Sequence, residues 1–175
     1  VTLTLYRSSE KKEYTHTLTR RIILVNTVEY EPLENQIGYL KISSFSKLTE
    51  KQLKKYLKQA KLEGVTGFIL DLRGNPGGLL NQSVKVASHF LFKGQMVVYT
   101  QGRSKDDYRE YRSLYKESLH KMPVVVLINQ YSASASEIVA GALRESGNAL
   151  LIGENSYGKG SVQTIFRISD GSGVR

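Results

Sequence analysis

The 175-residue sequence contains no cysteine, only three histidines and no long hydrophobic run. Without cysteine, the chain has neither disulfides nor thiolate metal sites. His16, His89 and His120 are scattered, and none has the spacing of paired metal ligands. The longest apolar runs, such as residues 124–128, are far too short to span a bilayer. The sequence therefore predicts no thiol chemistry, no metal site and no membrane-spanning helix.

Basic residues outnumber acidic ones and give the chain a formal net charge of +9. Such an excess is typical of proteins that bind nucleic acid or anionic membranes, because lysine and arginine neutralise phosphates. Here the basic residues are spread over a helical segment (residues 51–61) and a polar loop (residues 103–112), and they form no single recognisable module. A solvated lysine-rich surface explains the charge, so no nucleic-acid partner is predicted.

The hydrophobic pattern predicts a short hairpin followed by an α/β core. Residues 1–5 and 14–20 alternate polar and apolar side chains, which indicates two paired strands. Residues 23–36 lose a clean period and include Pro32, which predicts a connector. Beyond them strands and helices alternate, which predicts a layered α/β fold with a mostly parallel central sheet flanked by helices. The predicted strands are 38–43, 65–72, 95–100, 124–129, 149–153 and 161–168, and the predicted helices are 49–62, 79–91 and 134–145.

Ser134 is the first candidate for a functional side chain. It follows a buried strand, begins a predicted helix, and forms a capping box with Glu137. A serine at such a strand-to-helix elbow has its hydroxyl at the end of the sheet, and the following amides, beginning with Ala135, are unpaired donors that can hold an oxyanion. A plain helix cap explains the same pattern, and Ser132 and Ser136 are also available. The elbow position favours Ser134.

Lys159 is the second candidate, because glycines on both sides let the backbone approach a neighbour closely. In a confined site, desolvation favours the neutral amine, which is a general base; a solvated lysine in a flexible turn is the alternative. Residues 153–159 also match the first seven positions of a phosphate-binding P-loop. Gly160 stands where that loop needs Ser or Thr, and the following segment has the pattern of a strand, so nucleotide binding is not predicted.

A glycine-rich segment, residues 71–78, follows one buried strand and precedes a helix. It is explained either as a turn with a helix start or as the source of a second oxyanion donor, the amide of Gly77. Asp71 and Arg73 lie close enough in sequence to form a local ion pair of structural importance.

Four ordered motifs resemble the carboxyl-terminal processing (tail-specific) protease family over essentially the whole chain. They are GYLKISSF (38–45), ILDLRGNPGG (69–78), SASASEIVAGA (132–142) and GENSYGKGSVQ (153–163). The resemblance implies a crotonase-like core and a catalytic dyad, with Ser134 as nucleophile and Lys159 as its base. It further implies that Gln163 supports the lysine and that the backbone amides of Ala135 and Gly77 bind the oxyanion. Tyr131 departs from the family, which usually has glycine there.

The same resemblance implies the organisation and setting of the protein. Residues 1–22 are expected to be a remnant of a PDZ domain, 23–36 a connector, and 37–175 a protease core that is truncated at its C-terminal end. The absence of an initiator methionine before Val1 likewise predicts a piece of a longer protein. The implied substrates are C-terminal tails of proteins, with no metal or organic cofactor. The implied location is outside the cytoplasm, in the periplasm or at the cell surface. Membrane attachment is implied only through a segment not present here. A homo-oligomer is one option for the assembly.

Two alternatives stay open at this point. One is a non-catalytic ligand-binding module of the same fold, as in the retinoid-binding repeats of a vertebrate photoreceptor matrix protein. The other is a fragment that is inactive because it is truncated. Both Ser134 and Lys159 are present, which favours the serine endopeptidase.

Overall fold

Five strands form the central sheet of the computed structural model, which describes residues 1–21, 23, 25–163 and 166–174. The strands are β1 (Thr2–Arg7), β2 (Lys12–Thr17), β3 (Val28–Leu33), β4 (Ile37–Ile42), β5 (Gly67–Asp71), β6 (Met96–Thr100), β7 (Arg109–Arg112), β8 (Val124–Ile128), β9 (Ala149–Gly153), β10 (Phe166–Arg167) and β11 (Gly173–Val174). The helices are α1 (Thr49–Leu62), α2 (Leu80–Ser88) and α3 (Ala135–Glu145).

The central sheet has the order β3-β4-β5-β8-β9. Its neighbours from β4 to β9 are parallel, and only the edge strand β3 is antiparallel to its partner. The inner strands β5 and β8 consist almost entirely of apolar residues, as is typical of the inner strands of parallel sheets. The predicted fold class, an α/β fold with a mostly parallel sheet, is confirmed.

The core lies between this sheet and the apolar faces of the helices. Helix α1 has the predicted bounds and buries its face at helical spacing through Leu53, Leu57 and Ala60. Leu40 and Leu70, on adjacent strands, are fully buried. Packing around the inner strands therefore fixes where their carboxyl ends lie, and the loops that follow those ends carry the candidate residues.

Three predicted segments differ in kind from the structure, and α2 ends at Ser88 rather than at residue 91. The predicted connector contains β3, which tolerates Pro32 because an edge strand need not use every backbone N–H in the ladder. Residues 109–112, predicted as part of a polar loop, form β7 and pair with β6 outside the central sheet. The predicted strand 161–168 is reduced to β10, because residues 161–163 are exposed and lie outside regular structure; residues 164 and 165 lie outside the described residues.

Strands β1 and β2 form the predicted antiparallel hairpin, with Thr2 opposite Thr17. Its side chains are exposed apart from the half-buried Tyr14. The hairpin is confirmed as local structure, and its origin in a PDZ domain stays a prediction. Among the described residues, no helix combines the length and the apolar character needed to cross a membrane.

We predict that Leu70→Ala lowers the free energy of unfolding by about 2–5 kcal/mol, because it leaves a cavity in the middle of the sheet. Leu62→Ala is the matched control, since Leu62 ends α1 and is 82% exposed; its effect should stay within about 0.5 kcal/mol. Urea unfolding followed by circular dichroism measures both. Equal effects of the two substitutions would contradict this packing.

Candidate active site

The chain makes a sharp turn between β8 and α3, and Ser134 is the last residue of that turn. Its backbone has φ 54° and ψ −112°, a region that residues other than glycine rarely adopt. Such a conformation persists only where the surroundings enforce it. Helix α3 begins at the next residue, Ala135, so the N–H of Ala135 has no acceptor within the helix. The predicted strand-to-helix elbow is therefore present.

The three serines of this turn have different surroundings. Ser132 and Ser136 are fully buried. The Ser132 hydroxyl donates to the carbonyl of Leu72 (2.8 Å), and the Ser136 hydroxyl donates to the carbonyl of Asn75 (2.9 Å). Ser134 is only half-buried and lines a cleft. Two of the serines hold the elbow to the neighbouring loop, and the third faces solvent where a substrate can reach it.

The loop after β5 packs directly against the elbow at Gly77. A Cβ atom at this position would lie 2.6 Å from the Ala133 carbonyl oxygen and 2.8 Å from the Ser134 Cβ. The backbone of Gly77 also has φ +97°, so both the space and the conformation require glycine. Gly77, whose amide is predicted to bind an oxyanion, is thus next to the candidate nucleophile Ser134.

Asn75 fixes that loop, and its role was not predicted from the sequence. It is fully buried, its side-chain Nδ2 donates to the Ile42 carbonyl (2.8 Å), and its Oδ1 accepts from the Gly77 N–H (2.9 Å). Its own carbonyl accepts from the Ala133 N–H (3.0 Å). Of the two predicted oxyanion donors, the Gly77 N–H donates to Asn75 Oδ1 in this structure. The Ala135 N–H is at the start of α3 and has no acceptor within the helix.

Glu137 joins the elbow to the loop that carries Lys159. Its Oε1 accepts from the Ser156 hydroxyl (2.7 Å) and the Gly158 N–H (2.6 Å). Its Oε2 accepts from the Ser134 N–H (2.7 Å) and the Lys159 N–H (2.9 Å). Burial raises the pKa of the Glu137 carboxyl, but these hydrogen bonds outweigh burial and hold the pKa below its ordinary value. The sequence indicated only the capping contact with Ser134.

Ser134 and Lys159 line the same cleft, which has a volume of about 680 Å³. The Lys159 side chain is exposed, so the confined amine expected from the flanking glycines is not seen in this chain. Gln163 lies in the exposed stretch 161–163, beyond the lysine loop. The Tyr131 ring is 63% exposed, so it does not cover the elbow.

The predicted ion pair between Asp71 and Arg73 is present. Arg73 Nη2 lies 2.6 Å from Asp71 Oδ2, and the Tyr39 hydroxyl donates to the same oxygen (2.7 Å). Burial raises the pKa of Asp71, but the hydrogen bonds from Arg73 and Tyr39 outweigh it and keep the pKa below its ordinary value. The pair stabilises the end of β5 and the start of the loop that reaches the elbow.

Among the described residues, no group of three or more His, Asp or Glu side chains is arranged to hold a metal ion. The functional groups that line the cleft include the Ser134 hydroxyl, the Lys159 amine and the carboxylates of Glu137 and Glu145. This set is suited to acyl transfer by a nucleophile and a base.

The chain is similar to known proteins both in sequence and in structure. The model of peptidase family S41 matches residues 36–175. The carboxy-terminal-processing protease of Bartonella bacilliformis is 41% identical over 179 residues, covering 100% of this chain and 41% of that protein. CtpA, the carboxy-terminal processing protease of Bacillus subtilis, is 43% identical over 158 residues, covering 90% of this chain and 34% of that protein. The chain therefore spans well under half of these relatives.

Among solved structures, a photosystem II D1 C-terminal processing protease superposes with a TM-score of 0.72 at 30% identity. The match covers 98% of this chain and 48% of that one. The shared fold extends over nearly all of the chain.

We predict that the Gly158 and Lys159 amides report the charge of Glu137. A carboxyl whose pKa is lower in the folded state stabilises the fold above its unfolded pKa, and this stabilisation is lost as the pH falls through the folded pKa. Amide chemical shifts of both residues should therefore change with a midpoint below pH 4.5. Glu137→Gln should abolish that titration, with the Gly158 amide less protected from exchange. Glu145→Gln, on the exposed end of the same helix, is the control and should leave the titration unchanged.

Proposed function

The chain belongs to peptidase family S41, and on that basis we propose that it is the catalytic core of a serine endopeptidase that uses Ser134 and Lys159 to cleave C-terminal tails of proteins. One observation supports the proposal above all. Ser134 and Lys159, held to a common carboxylate through their backbone amides, open onto the same cleft.

In the first half of the proposed reaction, the neutral amine of Lys159 takes the proton from the Ser134 hydroxyl. The Ser134 Oγ attacks the carbonyl carbon of the scissile peptide bond, and the carbonyl oxygen becomes an oxyanion. The Ala135 amide donates to that oxyanion, and the Gly77 amide joins it once it leaves Asn75 Oδ1. When the carbon–nitrogen bond breaks, Lys159 gives its proton to the leaving amine, and an acyl-enzyme remains on Ser134.

In the second half, Lys159 takes a proton from a water molecule, and the resulting hydroxide attacks the acyl carbon. The carbon–oxygen bond to Ser134 breaks, and Lys159 returns the proton to the Ser134 oxygen. Gln163 supports the lysine through both halves, and no metal or organic cofactor takes part.

The substrate class comes from the relatives, which are named for carboxy-terminal processing. This chain covers well under half of their length, so we propose this activity for the whole protein. We also propose that residues 1–22 are part of a PDZ domain, that residues 23–36 are a connector and that residues 37–175 are a protease core. We place the protein outside the cytoplasm, in the periplasm or at the cell surface, attached to the membrane through a segment outside this chain.

We predict that a fluorophosphonate probe modifies Ser134 in the complete gene product. Ser134→Ala should abolish the labelling and lower the peptidase activity by a factor of about 1000 or more. Lys159→Ala should prevent labelling by removing the base. Tandem mass spectrometry of the labelled protein locates the modified serine. Modification of Ser132 or Ser136 would overturn the assignment.

We also predict that the rate of tail cleavage rises with pH and then reaches a plateau, because the base works only in its neutral form. Lys159→Arg keeps the charge but supplies no neutral base at any accessible pH, and should be inactive throughout. Steady-state rates measured across the pH range test this. A pH–rate profile governed by a group that titrates at about pH 6.5 would indicate a histidine base instead.

A further inference from the structure

One face of α3 forms the floor of the cleft. The residues that line it recur at helical spacing, so they lie on one side of the helix. They are Ser134, Glu137, Ile138, Gly141, Ala142 and Glu145. Ser134 is at the start of this row, and the floor therefore leads away from the nucleophile along the helix axis.

The opposite wall is the segment that contains β6. Residues 95–99 all line the cleft, one after another. The face of a strand would contribute only alternate residues, so β6 presents its backbone edge to the cleft. In the described part of the chain, β6 pairs only with β7, which leaves this second edge unpaired. An unpaired edge offers a row of N–H and C=O groups to an extended peptide.

Gly141 opens the floor of the cleft in the middle of α3. A glycine inside a helix is less stable than alanine by about 1 kcal/mol, so the position needs a reason. Packing supplies none, because a Cβ atom at Gly141 would meet nothing within 4 Å. Apolar side chains line the cleft beside this gap: Ile138 and Ala142 are on the same helix, and Val98 is on the facing strand. Glu137 and Glu145 are one helical turn to either side, so the gap leaves a short apolar space between two carboxylates.

We propose that the substrate lies extended between the edge of β6 and the face of α3, and that one of its large apolar side chains fits over Gly141. This inference rests on the proposed function and specifies the tails that are cleaved. Gly141 is two helical turns beyond Ser134, which is about 10 Å at 1.5 Å per residue. Since an extended peptide advances about 3.3 Å per residue, the selected side chain is about three residues from the cleaved bond.

The test uses the complete gene product and a set of alanine-rich tail peptides in which a single leucine is moved through every position on both sides of the cleaved bond. Mass spectrometry locates the cleavage and gives kcat/KM for each peptide. The wild type should prefer one peptide, with leucine about three residues from the bond, by about tenfold over the all-alanine tail. Gly141→Leu should remove this preference, measured as the ratio of kcat/KM for that peptide to kcat/KM for the all-alanine tail in the same variant.

Arg144→Leu is the matched control, because it adds the same side chain to α3 at an exposed position that does not line the cleft. It should keep the wild-type preference. A preference that survives Gly141→Leu, or an equal loss of cleavage for all tails in that variant with its melting temperature unchanged, would overturn the inference.

Binding separates this inference from the proposed function. The same peptides, carrying a fluorophore, are titrated into Ser134→Ala protein with and without Gly141→Leu. A leucine preference that Gly141→Leu removes supports the site over Gly141 even if the wild type cleaves no tail, which would contradict only the peptidase assignment. Cleavage with no positional preference in either assay contradicts the site and leaves the peptidase assignment intact.

Discussion

The carboxylate of Glu137 is the interaction on which the arrangement of the site depends. Two segments far apart in sequence, the elbow and the lysine loop, meet on its two oxygens. Hydrogen bonds from backbone amides to a partly buried carboxylate are stronger than neutral ones, and they replace the water that the charge loses on burial. Since the acceptor is on the first turn of α3, the helix that positions Ser134 also positions the backbone of Lys159.

The parallel sheet makes this meeting possible. Strands β5 and β8 are neighbours that run in the same direction, so the loops that follow them leave from the same edge of the sheet. Ser132 and Ser136, on either side of the elbow, donate to the backbone carbonyls of Leu72 and Asn75 and so tie the two segments together. The Asn75 side chain ties the first loop to β4 through the Ile42 carbonyl. The candidate catalytic residue therefore stands on a rigid base, while the cleft in front of it is open to solvent.

Elements with strong local patterns could be predicted from the sequence, and long-range contacts could not. Helix α1 and the elbow at Ser134 follow from apolar spacing and capping residues, which act within a few positions along the chain. Strand β3 was missed because only Val28 is buried in it, so it has almost no hydrophobic pattern. Two hydrogen bonds could not be predicted, because they join groups that come together only after folding. One links Glu137 to the lysine loop, and the other links the Gly77 amide to Asn75.

The backbone of Ser134 carries a further consequence. A non-glycine residue held at positive φ has a conformational cost on the order of 1–3 kcal/mol, which the contacts around it must offset. If those contacts weaken, the elbow relaxes before the sheet does, because movement of Ser134 releases the backbone strain. The fold then remains intact while the Ser134 side chain changes its direction. Moderate heating should therefore displace the Ser134 side chain before it unfolds the sheet.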